Sequence, residues 1–173
     1  MTNAIPKYVF NLITDITPED LHKMGVKAFG IDLDNTTVYD SGFKLLAGVP
    51  AWIKEMKRAG FKMCIITNTN TLRAHIISKR LKLPYFAFCR KPNPDSVLKA
   101  AELADVELSE FALIGDRLFA DVEAANRAGA ISIKVEPFQN EKLLFRMNER
   151  RRHKEADFTV KHKKEFPRMR RKK

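Results

Sequence analysis

The sequence predicts an α/β fold in which a parallel sheet is covered by helices on both faces. Three observations carry this expectation. Short apolar runs alternate with helix-like stretches across the first 140 residues, at the spacing of strand–helix–strand units. The helix-like stretches carry start and stop signals. Acids, a hydroxyl and a lysine follow the apolar runs, where the carboxyl edge of such a sheet gathers its functional groups.

Taken in order, Thr17-Pro18-Glu19-Asp20 supplies an N-cap, a first-turn proline and early acids, and Gly25 ends a short helix. Lys27 to Ile31 is a buried strand ending at Asp32, and a turn-rich stretch runs from Asp34 to Gly48. Pro50 to Ala59, closed by Gly60, is a helix with Trp52, Ile53 and Met56 apolar, and Lys62 to Ile66 is the second strand. Asn70 caps a helix to about Leu81, with Pro84 to Phe88 a third strand beyond it. Asn93-Pro94-Asp95 opens a helix to about Ala104. Phe111 to Gly115 is the fourth strand, Phe119 to Ala128 a helix ended by Gly129, and Ile131 to Val135 the fifth strand.

With 173 residues, 45% hydrophobic and 31% charged, the chain suits one globular domain rather than two. Its longest apolar runs, such as Met63-Cys64-Ile65-Ile66, fall far short of the roughly 18 residues of a membrane span. The start is too acidic for a transit peptide and carries no apolar signal segment. Cys64 and Cys89 have no CxxC or Cys/His spacing, so neither a disulfide framework nor a zinc site is expected, and a reducing cytoplasm fits.

The charge is uneven. Of the net +11, residues 141–173 hold +9, from 14 Lys/Arg against 5 Asp/Glu. We therefore divide the chain into a nearly neutral body, 1–140, and a basic segment, 141–173, expected to be partly helical or disordered. Runs such as Arg150-Arg151-Arg152 have no alternating acids. One reading is a solvated tail; the other is a docking strip for polyanions, either RNA or an anionic membrane surface. Charge alone does not choose between them.

The strand ends carry the chemistry. Asp32-Leu33-Asp34-Asn35-Thr36 follows the first strand, Thr67-Asn68 the second, Lys91 the third, and Gly115-Asp116 the fourth, with Asp121 five residues on. This set suits phosphoryl transfer through an aspartyl-phosphate. Asp32, first off its strand, is the candidate nucleophile, dividing one difficult hydrolysis into two displacements. Asp34 can protonate the leaving oxygen and then activate water. Asp32 and Asp116 form a hard-oxygen pair for Mg2+. Thr67 and the amides after it, Asn68 included, can bind phosphoryl oxygens, and Lys91 adds fixed positive charge. Asp121 has the alternative reading of a first-turn helix acid. A bare DxDxT is a modest signal; the joint arrangement, in order and each after a strand, is far harder to obtain by accident.

These motifs resemble the haloacid dehalogenase (HAD) superfamily. The match spans about residues 27 to 135. More narrowly, "DLDNT", "ITNT", "KPNP" and "GDRLFADVEAANRAG" resemble the YqeG-type HAD-IIIA phosphatases, which are akin to phosphatidylglycerophosphate phosphatases. The resemblance implies a three-layer Rossmann-like core whose five-stranded sheet has the order 5-4-1-2-3, Asp32 as nucleophile and Asp34 as acid/base. It also implies Mg2+ on Asp32, the Asp34 main-chain carbonyl and Asp116, with Asp121 supporting. Thr37 stands where many relatives carry an apolar residue.

The intervals between motifs, 32 residues from Asp34 to Thr67 and 23 from Thr67 to Lys91, leave no room for a cap domain. An uncapped site suits a bulky substrate, or one roofed by another subunit of a homo-oligomer. Three functions remain: a phosphatase of a lipid phosphate monoester, with phosphatidylglycerophosphate the specific expectation; a nucleotide or nucleic-acid-end phosphatase; and a non-catalytic RNA- or ribosome-associated factor. The first would dock peripherally on a membrane through the apolar stretch Tyr8 to Ile13 or a basic amphipathic helix at Lys142–Met147, although packing against the sheet is the simpler role for the first of these.

Overall fold

Apolar side chains alternate sides along each central strand, and that alternation builds two cores. The structure, a computed structural model, describes residues 3–39, 42–138 and 145–170. In chain order its elements are β1 (Tyr8–Phe10), α1 (Pro18–Lys23), β2 (Ala28–Ile31), α2 (Val49–Arg58), β3 (Lys62–Ile66), α3 (Thr71–Leu81) and β4 (Tyr85–Phe86). These are followed by α4 (Asp95–Ala104), β5 (Phe111–Gly115), α5 (Glu123–Ala128), β6 (Ile131–Val135), α6 (Phe145–Lys161) and β7 (Met169–Arg170). Phe29, Ile31, Met63, Ile65, Ala112 and Ile114 meet Leu21 of α1, Trp52 and Met56 of α2 and Ile77 of α3 on one face. Ala28, Cys64, Ile66, Phe111 and Leu113 meet Val97 and Ala100 of α4 and Ala124 and Ala125 of α5 on the other. The three-layer α/β arrangement follows directly.

The local signals act as expected. Thr17 Oγ1 accepts from the Asp20 amide at 3.1 Å while Asp20 accepts from the Thr17 amide at 3.0 Å, a reciprocal cap for α1. Asn70 Oδ1 accepts from the Arg73 amide at 2.9 Å and starts α3. Trp52 donates its indole N–H to the Ile16 carbonyl at 2.7 Å, so the largest side chain of α2 is buried without an orphaned donor. The third strand is shorter than expected because Phe88, at φ 50°, enters the left-handed region and turns the chain back.

The sheet corrects the expected strand count. It has seven strands in the order β4-β3-β2-β5-β6-β1-β7, all pairs parallel. Five of them reproduce the implied order; the other two extend the sheet beyond β6. β1 comes from the apolar N-terminal stretch, whose Val9, Phe10 and Ile13 are buried, so these residues pack in the sheet instead of offering a membrane anchor. β7 comes from the basic segment: Asn11 donates to the Arg170 carbonyl at 3.3 Å, and the Arg170 guanidinium lies 5.0 Å from the Tyr8 ring centre. A two-residue edge strand written in arginine and methionine carries no strand pattern, which is why its sequence gives no warning.

α6 lies beside the turn after β5. Phe158 packs edge-on against Phe119 with ring centres 5.3 Å apart, and Phe119, Phe158 and Phe166 border the small cluster of Ala4, Leu118 and Val122. Of the expected amphipathic helix at Lys142–Met147, residues 142–144 lie outside the described residues; from Phe145 onward the backbone is helical.

Candidate active site

Four strands of one parallel sheet end at the same edge, and their first polar residues converge there. Asp32 follows β2, Asp116 follows β5, and Asp121 lies in the wide turn Leu118–Val122 before α5. One carboxylate oxygen from each lies within 4.8 Å of the others, and all three residues are buried. The close approach depends on Gly115: a Cβ there would overlap the Asp121 carboxyl group. Asp121 is also fixed locally, accepting from the Arg117 amide at 3.1 Å.

Lys91 stands in the middle of this acid set. Its ammonium donates to Asp32 at 2.7 Å, to Asp121 at 2.5 Å and to the Ile66 carbonyl at 2.7 Å. Its side chain is only 2% exposed, and all three of its donors are used. Phe88 and Arg90, both non-glycine residues with positive φ, shape the loop that turns this lysine inward. Asn68 clamps the loop from the other side. Its side chain accepts from the Lys91 amide at 2.8 Å and donates to the Lys91 carbonyl at 3.2 Å. The Asn68 side chain is thus engaged in positioning Lys91. Thr67 is buried, with its hydroxyl accepting from the Thr69 amide at 3.2 Å.

The Asp34 carboxylate is not one of the three clustered acids. Arg73 of α3 grips both of its oxygens, at 2.6 and 2.9 Å, in a bidentate pair. The same guanidinium donates twice to the Gly42 carbonyl, at 2.7 and 3.0 Å, tying down the turn-rich flap after β2. Arg73 was not foreseen. Its available signal is an arginine on the buried stripe of α3 with Ala74, Ile77 and Leu81, a place where a cation needs an anionic partner.

A second unforeseen cation comes from α6. Arg152 donates through Nη2 to Asp116 Oδ2, its Nη1 lies 3.5 Å from the Asp116 carbonyl, and that Nη1 also reaches Glu155 Oε2 at 3.2 Å. Glu155 is buried and further lies 3.8 Å from the Arg117 guanidinium. Within an Arg150-Arg151-Arg152 run nothing marks the third residue, except an acid one helical turn later.

The electrostatics follow from crowding. Burial raises Asp32 to about 8, against the opposing pull of Lys91 and with support from the neighbouring acids. Burial likewise raises Asp116 to about 6, opposed chiefly by Arg152. Burial works against the Lys91 charge, but Asp121 and Asp32 outweigh it and hold its pKa above the usual lysine value. Two buried carboxylates resisting ionisation suit a divalent cation. Asp116 Oδ1 is moreover buried with no hydrogen-bond partner, an orphaned acceptor that a hard cation would satisfy. The donor set fits Mg2+.

Comparison with known proteins places this geometry. Residues 8–129 match the family described as haloacid dehalogenase-like hydrolase. The chain belongs to that family. It is 33% identical over 133 residues to a probable phosphatase YqeG of Bacillus subtilis, covering 77% of each chain. It is 28% identical over 109 residues to a glyceraldehyde 3-phosphate phosphatase of Methanopyrus kandleri, spanning 56% of this chain and 47% of that one. Among solved structures, the D,D-heptose 1.7-bisphosphate phosphatase of B. bronchiseptica, complexed with magnesium and phosphate, shares the fold: TM-score 0.56 at 22% identity, over 67% of this chain and 85% of that one.

As a haloacid dehalogenase-like hydrolase, the chain places its buried acid cluster where the family's parallel sheet gathers chemistry, at the carboxyl edge. The matched residues stop before α6, so Arg152 and Glu155 lie outside the family match. Among the described residues no helix is long and apolar enough to cross a membrane.

Proposed function

We propose that this hydrolase is a Mg2+-dependent phosphatase of a lipid phosphate monoester, with phosphatidylglycerophosphate the specific substrate, working through an aspartyl-phosphate. The observation that carries the phosphatase chemistry is the buried Asp32–Asp116–Asp121 cluster with Lys91 bonded into it. Asp32, Asp116 and the Asp34 main-chain carbonyl would hold the ion, with Asp121 supporting through Lys91. The ion would supply charge neutralisation, drawing an anionic substrate toward an anionic nucleophile. Asp32 attacks phosphorus and becomes phosphorylated. Lys91 keeps its positive charge beside the transferring group throughout.

Asp34 then has two tasks, protonating the leaving oxygen and activating water. Its side chain is 33% exposed and so can meet both substrate and solvent. In the pairing with Arg73 both carboxylate oxygens are occupied, so proton transfer requires one oxygen to exchange the guanidinium for substrate. Because Arg73 also holds the flap at Gly42, we read flap movement and release of Asp34 as one event. Thr67 and the amides that follow are the candidates for binding the remaining phosphoryl oxygens.

The lipid assignment rests on the mouth. Phe43 on the flap is 42% exposed, Leu72 at the start of α3 is 72% exposed, and Phe88 beyond β4 is 61% exposed. Hydrogen bonds link their segments around the site: Phe88 to the Thr69 carbonyl, Arg73 to Gly42, and Arg80 to the Phe43 carbonyl at 2.8 Å. An uncapped opening edged by apolar side chains and cations suits a substrate with acyl chains beside its phosphate. Exposed Arg150, Arg151, Lys154, Lys161, Lys163 and Lys164 support docking of the C-terminal segment on an anionic membrane surface.

The test is phosphate release from a panel of phosphatidylglycerophosphate, nucleotides, 5′-phosphorylated oligonucleotides and sugar phosphates, with Mg2+ and with EDTA. Preference for the lipid supports the assignment; preference for glyceraldehyde 3-phosphate or another small sugar contradicts the open-mouth argument. Co-sedimentation with phosphatidylglycerol vesicles should be strong at low salt and lost at high salt. RNA binding without vesicle binding would transfer the basic segment to the nucleic-acid reading.

A further inference from the structure

We propose that Arg152, carried by the C-terminal helix, is a positioning residue of the metal centre that orients Asp116 for the ion. The inference rests on the phosphatase reading above and goes beyond it, since the family match ends before this helix.

Asp116 has two buried carboxylate oxygens. Oδ2 accepts from Arg152 Nη2, and Oδ1 has no hydrogen-bond partner. A carboxylate pinned at one oxygen presents the other in a fixed direction, as outer partners of metal-ligating side chains commonly do. The pin is itself supported. Arg152 Nη1 bonds Glu155 one helical turn away, and Glu155 lies at 3.8 Å from Arg117, the residue that follows Asp116. Arg117 in turn donates its amide to Asp121. A closed circuit therefore joins α6 to two acids of the cluster. The helix has its own anchors, through Phe158 on Phe119 and β7 on β1, so the guanidinium is held by packing as well as by charge.

Charge balance agrees. The three acids of the cluster face Lys91 and Arg152. Lys91 bonds Asp32 and Asp121, leaving Asp116 as the acid that the lysine does not reach by hydrogen bond; Arg152 serves that one. With a divalent ion added, the centre becomes net positive and ready for a phosphate dianion. The C-terminal segment thereby has a second role: its outer face is basic and exposed while one of its arginines completes the active site.

The experiment compares the full-length wild type with Arg152→Ala and Arg152→Lys in direct Mg2+ titration by calorimetry, with thermal melting in EDTA as the check on folding. Loss of an outer partner typically weakens metal binding by about 10–100-fold, so Arg152→Ala should lower Mg2+ affinity by about that factor. Arg152→Lys, which keeps charge but not the fork, should restore part of it. The melting point in EDTA should stay within a few degrees of the wild type, separating orientation from general destabilisation. Should Arg152→Ala not fold, Arg152→Lys still decides, because intermediate affinity supports the role and full wild-type affinity overturns it. Unchanged or tighter Mg2+ binding by Arg152→Ala overturns the proposal, tighter binding meaning that the arginine competes with the ion. Failure of the wild type itself to bind Mg2+ would overturn both this inference and the metal-dependent phosphatase reading.

Discussion

Two cations close on one acid cluster, and they arrive from different kinds of structure. Lys91 comes from a loop inside the family fold, is nearly inaccessible, and gives its three protons to two carboxylates and a carbonyl. Arg152 comes from a helix beyond the family match, has a quarter of its side chain exposed, and bonds both Asp116 and Glu155. The difference teaches how the site is layered. The inner cation is inseparable from the nucleophile, because without it Asp32 and Asp121 are buried together uncompensated. The outer cation acts on a single ligand and shares its load with a helix that has other reasons to be there.

Removing the nucleophile should have the largest effect. Asp32→Asn keeps the shape and removes the attacking oxygen anion, so phosphate release should fall by about 10⁴-fold or more while the melting profile stays cooperative. Next comes the inner cation. Lys91→Ala strands two buried acids, and breaking such a pair typically costs about 3–5 kcal/mol; urea unfolding in EDTA should show a loss of that order. Arg152→Ala should cost only about 1–2 kcal/mol in the same measurement. Equal costs would erase the distinction between inner and outer cations.

A pH series sharpens the comparison further. Asp32 and Asp116 have folded pKa values raised to about 8 and about 6, so between the ordinary aspartate range and those values the folded state holds more protons than the unfolded state. Stability in EDTA is therefore fully present at low pH with respect to these groups and is lost as pH rises through 6 and then 8. Between pH 5 and 8 the wild type should lose roughly 3–4 kcal/mol more than Asp32→Asn does. Added Mg2+ should stabilise more at pH 8 than at pH 5, because binding requires ionised carboxylates. A wild type and variant with parallel pH curves would remove Asp32 from this account of burial.

The smallest effect belongs to the flap side. Arg73→Ala frees Asp34 from its bidentate pair and the flap from α3, and should lower kcat by about 10-fold. A change in KM alone would assign Arg73 to the flap and not to Asp34.

Legibility follows the same division. The acids and Lys91 were readable because each follows a strand whose apolar run and bounding turns are written locally, and because phosphoryl transfer needs those residue types together. The caps at Thr17 and Asn70 were readable for a similar reason: one side chain and one amide three residues away settle them. What escaped depends on distant pairing. β7 is two residues of a basic run whose only strand-like property is backbone bonding to β1. Arg152 and its neighbours in sequence are chemically alike, and only the docking of α6 singles out the one that faces Asp116. Asn68 follows β3, and its side chain serves the Lys91 backbone, a contact 23 residues away. The basic segment, set apart from the body by its charge, shares a sheet edge, an aromatic cluster and an active-site carboxylate with it.

The most direct measurement of the central claim is to trap the covalent intermediate. Wild-type enzyme mixed with Mg2+ and the preferred substrate of the panel is quenched in acid, reduced with borohydride and mapped by peptide mass spectrometry. The modified residue should be Asp32, with the signal absent in EDTA and in Asp32→Asn. Turnover with no modified peptide, or with the modification at Asp34, Asp116 or Asp121, would contradict it.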